Sequence, residues 1–152
     1  MRKKRVLVVE DNELNRELLC QILSQEYDVI EAENGQVALE ILKEHKNSIS
    51  LIFLDVVMPV MDGYTFLNRL RSDSSMSFIP VVVTTQSSSE EDEVNALSHG
   101  ATDFVPKPYR PQIILHRAAN LIELRENAAM VNQFMYDRLT GFPYPPSVRL
   151  CP

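Results

Sequence analysis

Short apolar runs alternate five times with longer stretches in which apolar residues recur at intervals of three and four. Residues 6–9, 29–32, 51–54, 81–84 and 104–105 read as strands. The first, third and fourth run apolar without polar alternation, as strands do when both faces are covered. The alternation therefore predicts an α/β fold, a doubly wound parallel sheet of five strands.

Between the strands, Leu14, Leu18, Leu19, Ile22 and Leu23 mark one helical stripe, and Val37, Ala38, Ile41 and Leu42 a second. Tyr64, Leu67 and Leu70 mark a third helix, which Asp62 can cap, with Gly63 easing the tight turn. Ser88-Ser89-Glu90-Glu91 opens a fourth as a capping box whose acids suit the positive end of the helix dipole. Gly100 closes that helix, and Pro106 ends the last strand, which a sheet edge tolerates.

From Pro111 the helical pattern continues to about Arg138 as an extended C-terminal helix, longer than closing such a domain requires. Leu121, Ala128 and Met135 recur every seven residues, with Leu124 and Val131 three positions after the first two. That is an a/d seam of barely two heptads. It serves either a homodimer or a domain link, or else the helix folds back onto its own domain. Beyond Gly141 the period stops, and residues 142–152 hold four prolines in eleven positions. The expected organisation is a domain over residues 1–126, a helical linker over 127–141 toward an output domain missing from this chain, and a disordered or truncated tail over 142–152.

Composition narrows the class. With 152 residues, 45% hydrophobic, the chain buries a core without a disulfide or metal staple. Two cysteines, Cys20 and Cys151, and no leader pattern point to a reducing cytoplasm. No apolar run approaches the roughly 18 residues of a membrane span. Residues 1–110 carry 11 Lys and Arg against 18 Asp and Glu, a surface that repels nucleic acid. The basic run Arg2-Lys3-Lys4-Arg5 directly precedes a strand and reads as a solvated lead-in to it.

In an open parallel sheet, ligands bind beyond the carboxyl ends of the strands. Glu10 and Asp11 follow the first strand there, Asp55 the third, Thr84 and Thr85 the fourth, and Lys107 the last. Asp55 alone could be a turn cap. Three acids at one edge are another matter, because two unit charges about 4 Å apart repel by about 4 kcal/mol at an effective dielectric of 20. A hard cation relieves that repulsion, and Mg2+ with its all-oxygen preference suits the set. Asp55 can then act as a nucleophile toward a phosphoryl donor, with Lys107 screening the two anions. Lys107 lies between Pro106 and Pro108 on a stiff segment that admits a cis Lys107–Pro108 bond.

Taken together, Val8-Val9-Glu10-Asp11-Asn12, the segment Leu54-Asp55-Val56-Val57-Met58-Pro59 with Met61-Asp62-Gly63, residues 80–85, and Gly100-Ala101 through Lys107-Pro108-Tyr109 resemble a response regulator receiver domain over residues 4–126. The resemblance implies the CheY-like, flavodoxin-like strand order 2-1-3-4-5. By it, Glu10 and Asp11 organise Mg2+, Val57 adds its backbone carbonyl, Asp55 is the phosphoacceptor and Lys107 pairs with the phosphoryl group. Thr85 matches the switch hydroxyl and Phe104 the switch aromatic, here without a hydroxyl. The implied partner is a sensor histidine kinase or phosphotransfer protein.

Gln86 departs from the small residue usual after the switch hydroxyl. Apolar Val57, which with Ser87 is expected to influence phosphoryl lifetime, points to a long-lived phosphoryl state. Residues 136–141, Tyr-Asp-Arg-Leu-Thr-Gly, resemble the opening of a GGDEF-type diguanylate cyclase domain, but Tyr144-Pro145-Pro146 does not continue it.

Two other classes compete. A Mg2+-dependent phosphohydrolase with an Asp nucleophile usually carries a second Asp two residues on, where this chain has Val57. A phosphorylation-independent dimerisation or interaction module would need none of Asp11, Asp55, Thr85 and Lys107.

Overall fold

The computed structural model describes residues 3–58, 60–86 and 89–140, with side chains described as far as residue 127. Five strands and five helices alternate: β1 (Arg5–Val9), α1 (Glu13–Leu23), β2 (Asp28–Ala32), α2 (Gly35–His45), β3 (Ile49–Asp55), α3 (Gly63–Ser72), β4 (Val81–Thr85), α4 (Glu90–Ser98), β5 (Asp103–Pro106) and α5 (Pro111–Thr140). All pairings are parallel, in the order β2-β1-β3-β4-β5. The doubly wound sheet and its order are as expected.

The strands are longer than the expected runs by one to three residues, because backbone pairing extends beyond the run at either end. Thr85 pairs with Pro106 at the edge of the sheet, where the proline's missing N–H leaves no inner ladder bond unmade. Val6, Leu7, Val8, Leu51, Ile52, Phe53, Leu54, Val81, Val82 and Val83 are all fully buried. Burying a side chain the size of Phe53 or Leu54 contributes about 2–3 kcal/mol, so the central strands dominate the core.

The α1 stripe requires a correction. Leu19, Ile22 and Leu23 are buried, whereas Leu14 is 75% exposed and Leu18 42%. At about 100° per residue the five positions spread over about half the helix circumference; the sheet covers the arc from Ile22 to Leu23, Leu18 lies on its margin about 40° from Ile22, and Leu14 lies about 80° or more from all three buried positions.

Caps follow the expected chemistry. Asn12, Asn34 and Asp62 accept from Asn15 N, Val37 N and Thr65 N at the starts of α1, α2 and α3. At α4 the cap is Ser89, accepting from Asp92 N at 3.2 Å, and Ser88 lies outside the described residues. Gly100 takes φ +105, the left-handed close anticipated for it. Beside it the partly buried Arg71 guanidinium donates to Gly100 O, Ser77 O and Ile79 O at 2.9, 3.0 and 2.7 Å, fastening the end of α3 to the loops that enter β4 and β5.

The chain divides into two compact units within α5, one ending at Ala118 and the other beginning at Ala119. The helix itself runs to Thr140, past the expected end near Arg138. The seam side chains at Ala128, Val131 and Met135, and the tail 142–152, lie outside what is described.

Candidate functional site

Each site residue stands at the carboxyl end of a strand, where the backbone has just left the ladder. Val9 brings in Glu10 and Asp11, β3 ends on Asp55, β4 on Thr84 and Thr85, and β5 presents Lys107 one residue beyond Pro106. The topology thereby draws together groups up to 97 positions apart along the chain, from Glu10 to Lys107.

Two carboxylates are deeply buried, Glu10 at 1% and Asp55 at 5% exposure, while Asp11 faces solvent. Lys107 Nζ lies 3.1 Å from Glu10 Oε1 and 3.4 Å from Asp55 Oδ1, bridging the pair. Glu10 Oε2 accepts from Asn12 N at 3.2 Å, and Arg16 donates to the Glu10 main-chain carbonyl at 2.9 Å. The Lys107–Pro108 bond is cis, and Lys107 N donates to Thr85 O at 2.7 Å, so the lysine's backbone is tied to the end of β4.

Burial, reinforced by the hydrogen bond and charge of Glu10, pushes the Asp55 carboxyl up to about 7 against the opposing pull of Lys107. One ammonium does not neutralise two buried acids. The site therefore favours an added positive charge.

The donor set fits Mg2+. One oxygen from each of Glu10, Asp11 and Asp55 lies within 4.8 Å of the others, close to the span of oxygens around an ion with bonds of about 2.0–2.1 Å. All the donors are oxygens, and Asp11's exposure leaves room for the waters that Mg2+ retains.

The acids sit at one end of a cleft of about 770 Å³ that also takes in Val57, Met58, Thr85, Gln86 and Phe104. Thr85 and Phe104 are each 9% exposed, and Val57 is 77% exposed on the rim. Farther along, Tyr64 from α3 stacks on His99 at the end of α4, with ring centroids 4.4 Å apart. Glu10, Asp11, Asp55, Val57, Thr85, Phe104 and Lys107 all line this cleft, Thr84 is buried and does not line it, and Ser87 lies outside the described residues.

Two features escaped sequence reasoning. Gly63 is needed for space rather than only for an easy turn: a Cβ there would stand 2.6 Å from both Asp55 O and Val56 Cα, and Gly63 N donates to Val56 O at 2.9 Å. The second is Tyr109, buried, whose hydroxyl donates to Glu10 Oε1 at 3.1 Å and lies 3.4 Å from Thr84 Oγ1. Its only signal in the sequence was a polar-tipped aromatic next to Lys107-Pro108.

Comparison with known proteins is consistent across sequence and structure. The family described as the response regulator receiver domain matches residues 6–119. The Escherichia coli phosphate regulon transcriptional regulatory protein PhoB is 37% identical over 115 residues, 75% of this chain and 49% of that protein. The chemotaxis response regulator CheY4 of Vibrio cholerae superposes with a TM-score of 0.73 at 29% identity, covering 78% of this chain and 98% of that one. A two-component system response regulator/GGDEF domain protein superposes with a TM-score of 0.74 at 27% identity, covering 82% of this chain and 51% of that one. The chain spans 8% to 53% of the length of the first curated relatives it matches.

Proposed function

Because this chain belongs to the response regulator receiver domain family of two-component signalling, we propose that Asp55 accepts a phosphoryl group from a sensor histidine kinase or phosphotransfer protein in a Mg2+-dependent reaction. The family is one of signalling domains rather than classical enzymes. The observation that carries the reading is the convergence of Glu10, Asp11, Asp55 and Lys107 at one sheet edge, with Lys107 Nζ within 3.4 Å of both buried acids.

Glu10, Asp11, Asp55 and the Val57 carbonyl would hold Mg2+, which supplies charge neutralisation for the incoming phosphoryl oxygens. An Asp55 carboxylate oxygen forms the new bond to phosphorus. The bond from phosphorus to the donor's leaving atom, imidazole nitrogen or acyl oxygen, breaks with its electron pair departing on the donor. Only ionised Asp55 can attack, so the charge of Lys107 opposes the burial that favours its protonated form. Lys107 then turns from Glu10 to a phosphoryl oxygen.

Thr85 at the end of β4 and Phe104 within the adjacent β5, both lining the same cleft, are the switch pair: the hydroxyl approaches the phosphoryl group and the aromatic packs behind it. With Val57 unable to orient an attacking water, the phosphoryl state is long-lived. The domain spans residues 1–126, the linker 127–141 and a tail 142–152. The output is a GGDEF-type cyclase reached through α5, or self-association along its seam. A cytoplasmic location accords with this partner, and among the described residues no helix is long and apolar enough to cross a membrane.

Intact-protein mass after incubation with acetyl phosphate, with and without Mg2+, tests the reading. A single Mg2+-dependent phosphoryl adduct is expected, absent in Asp55→Asn. An adduct that persists in that variant refutes the phosphoacceptor. No adduct despite metal binding favours the phosphorylation-independent module, and steady phosphate release without adduct favours the hydrolase.

A further inference from the structure

We propose that the Tyr109 hydroxyl is a positioning group for the metal site, holding Glu10 in place so that Lys107 is free to leave it for the phosphoryl group. The inference rests on the reading of Asp55 as a metal-assisted phosphoacceptor and deepens it.

Glu10 is the most enclosed acid of the site, at 1% exposure. Oε2 takes the Asn12 N–H, while Oε1 takes both Lys107 Nζ and the Tyr109 hydroxyl, each at 3.1 Å. The lysine has a second post 3.4 Å away on Asp55, the atom group on which the phosphoryl charge arrives. Once the lysine turns toward that charge, Oε1 would be a buried carboxylate oxygen without a donor, were it not for Tyr109.

The tyrosine is built for that task. Its ring is buried at 8% exposure directly after the Lys107–Pro108 bond, and its oxygen is pinned from the other side by Thr84 Oγ1 at 3.4 Å. A hydroxyl donor is neutral. It can therefore stay on Glu10 when a divalent cation binds, whereas an ammonium in the same place competes with the cation for the carboxylate. A donor that fixes the direction of a ligating or water-ordering carboxylate raises metal affinity without touching the metal, and loss of such outer partners lowers affinity by about 10- to 100-fold.

The test uses the full chain, with free Mn2+ followed by electron paramagnetic resonance, Mg2+ competition, and phosphoryl uptake from acetyl phosphate. Tyr109→Phe keeps the ring and removes one oxygen. It is expected to raise the Mn2+ dissociation constant by about 10-fold, and to slow uptake more at limiting than at saturating Mg2+, a split that a purely structural loss would not produce. A dissociation constant within twofold of wild type in a folded Tyr109→Phe protein overturns the inference. Should that variant not fold, Thr84→Val leaves the hydroxyl but frees its far side. A weaker affinity of the same sign supports the inference, and an unchanged one overturns it. Wild-type protein that neither binds Mn2+ nor forms an adduct overturns the underlying phosphoacceptor reading instead.

Discussion

Replacing Asp55 by Asn is expected to stabilise the metal-free protein at alkaline pH, even though it destroys the proposed function. Burial first, then the hydrogen bond and charge of Glu10, push this carboxyl from 3.8 up to about 7. A group that binds its proton more tightly when folded contributes fully to stability below about pH 4, and that contribution is lost as pH rises from about 4 through about 7. Roughly three units at about 1.4 kcal/mol each bound the cost of ionised Asp55 near 4 kcal/mol, and local relaxation and water entry bring it to about 1–3 kcal/mol. Asn keeps the shape, offers Lys107 an acceptor and Glu10 a donor, and carries no charge.

Urea unfolding followed by circular dichroism in EDTA measures this directly. Near pH 8 the variant is expected to lead by about 1–3 kcal/mol, about 4 °C in Tm per kcal/mol for a domain of this size. Near pH 5.5 the lead narrows by roughly half, because that pH lies midway through the window in which folded and unfolded forms differ in protonation. Adding Mg2+ near pH 8 is expected to close the gap from the wild-type side. No lead near pH 8, or a lead that grows as pH falls, would refute the argument that Asp55 carries an uncompensated charge.

Three further outcomes follow from the same geometry. Lys107→Ala leaves Glu10 and Asp55 facing each other without their bridge; it is expected to cost about 3 kcal/mol in EDTA and less in Mg2+, by urea unfolding in both buffers. Gly63→Ala drives a Cβ to 2.6 Å from the Asp55 carbonyl and Val56 Cα; a loss of about 2–3 kcal/mol is expected, with slower phosphoryl uptake because the backbone carrying the nucleophile must shift, and unchanged melting would count against the close contact. Arg71→Met strands the carbonyls of Gly100, Ser77 and Ile79; about 2–3 kcal/mol of destabilisation is expected, with amide exchange rising first at residues 77–79 and 100–102.

What the sequence determined by itself is whatever depends on local period and on strand ends. Apolar runs at Val6, Leu51 and Val81 specify buried parallel strands because no polar alternation allows a solvent face. Once the strands are parallel, Glu10, Asp55, Thr85 and Lys107 must share an edge, so the candidate site was legible before any coordinate was known. Asp62 announced its cap because a short side chain reaches only its own helix start.

Only the tertiary structure decided what depends on distance between remote segments. The periodicity of α1 could not say which part of its wide apolar arc meets the sheet, and Leu14 and Leu18 are exposed because the sheet covers the arc from Ile22 to Leu23. Gly63 could be read as a turn residue, but the backbone of Asp55 pressing against it is a contact between loop and strand that no local pattern encodes. Tyr109 reaches Glu10 across 99 positions, and whether an aromatic hydroxyl finds a buried acid is set by where two strand ends are brought together in space, not by the residues beside either one.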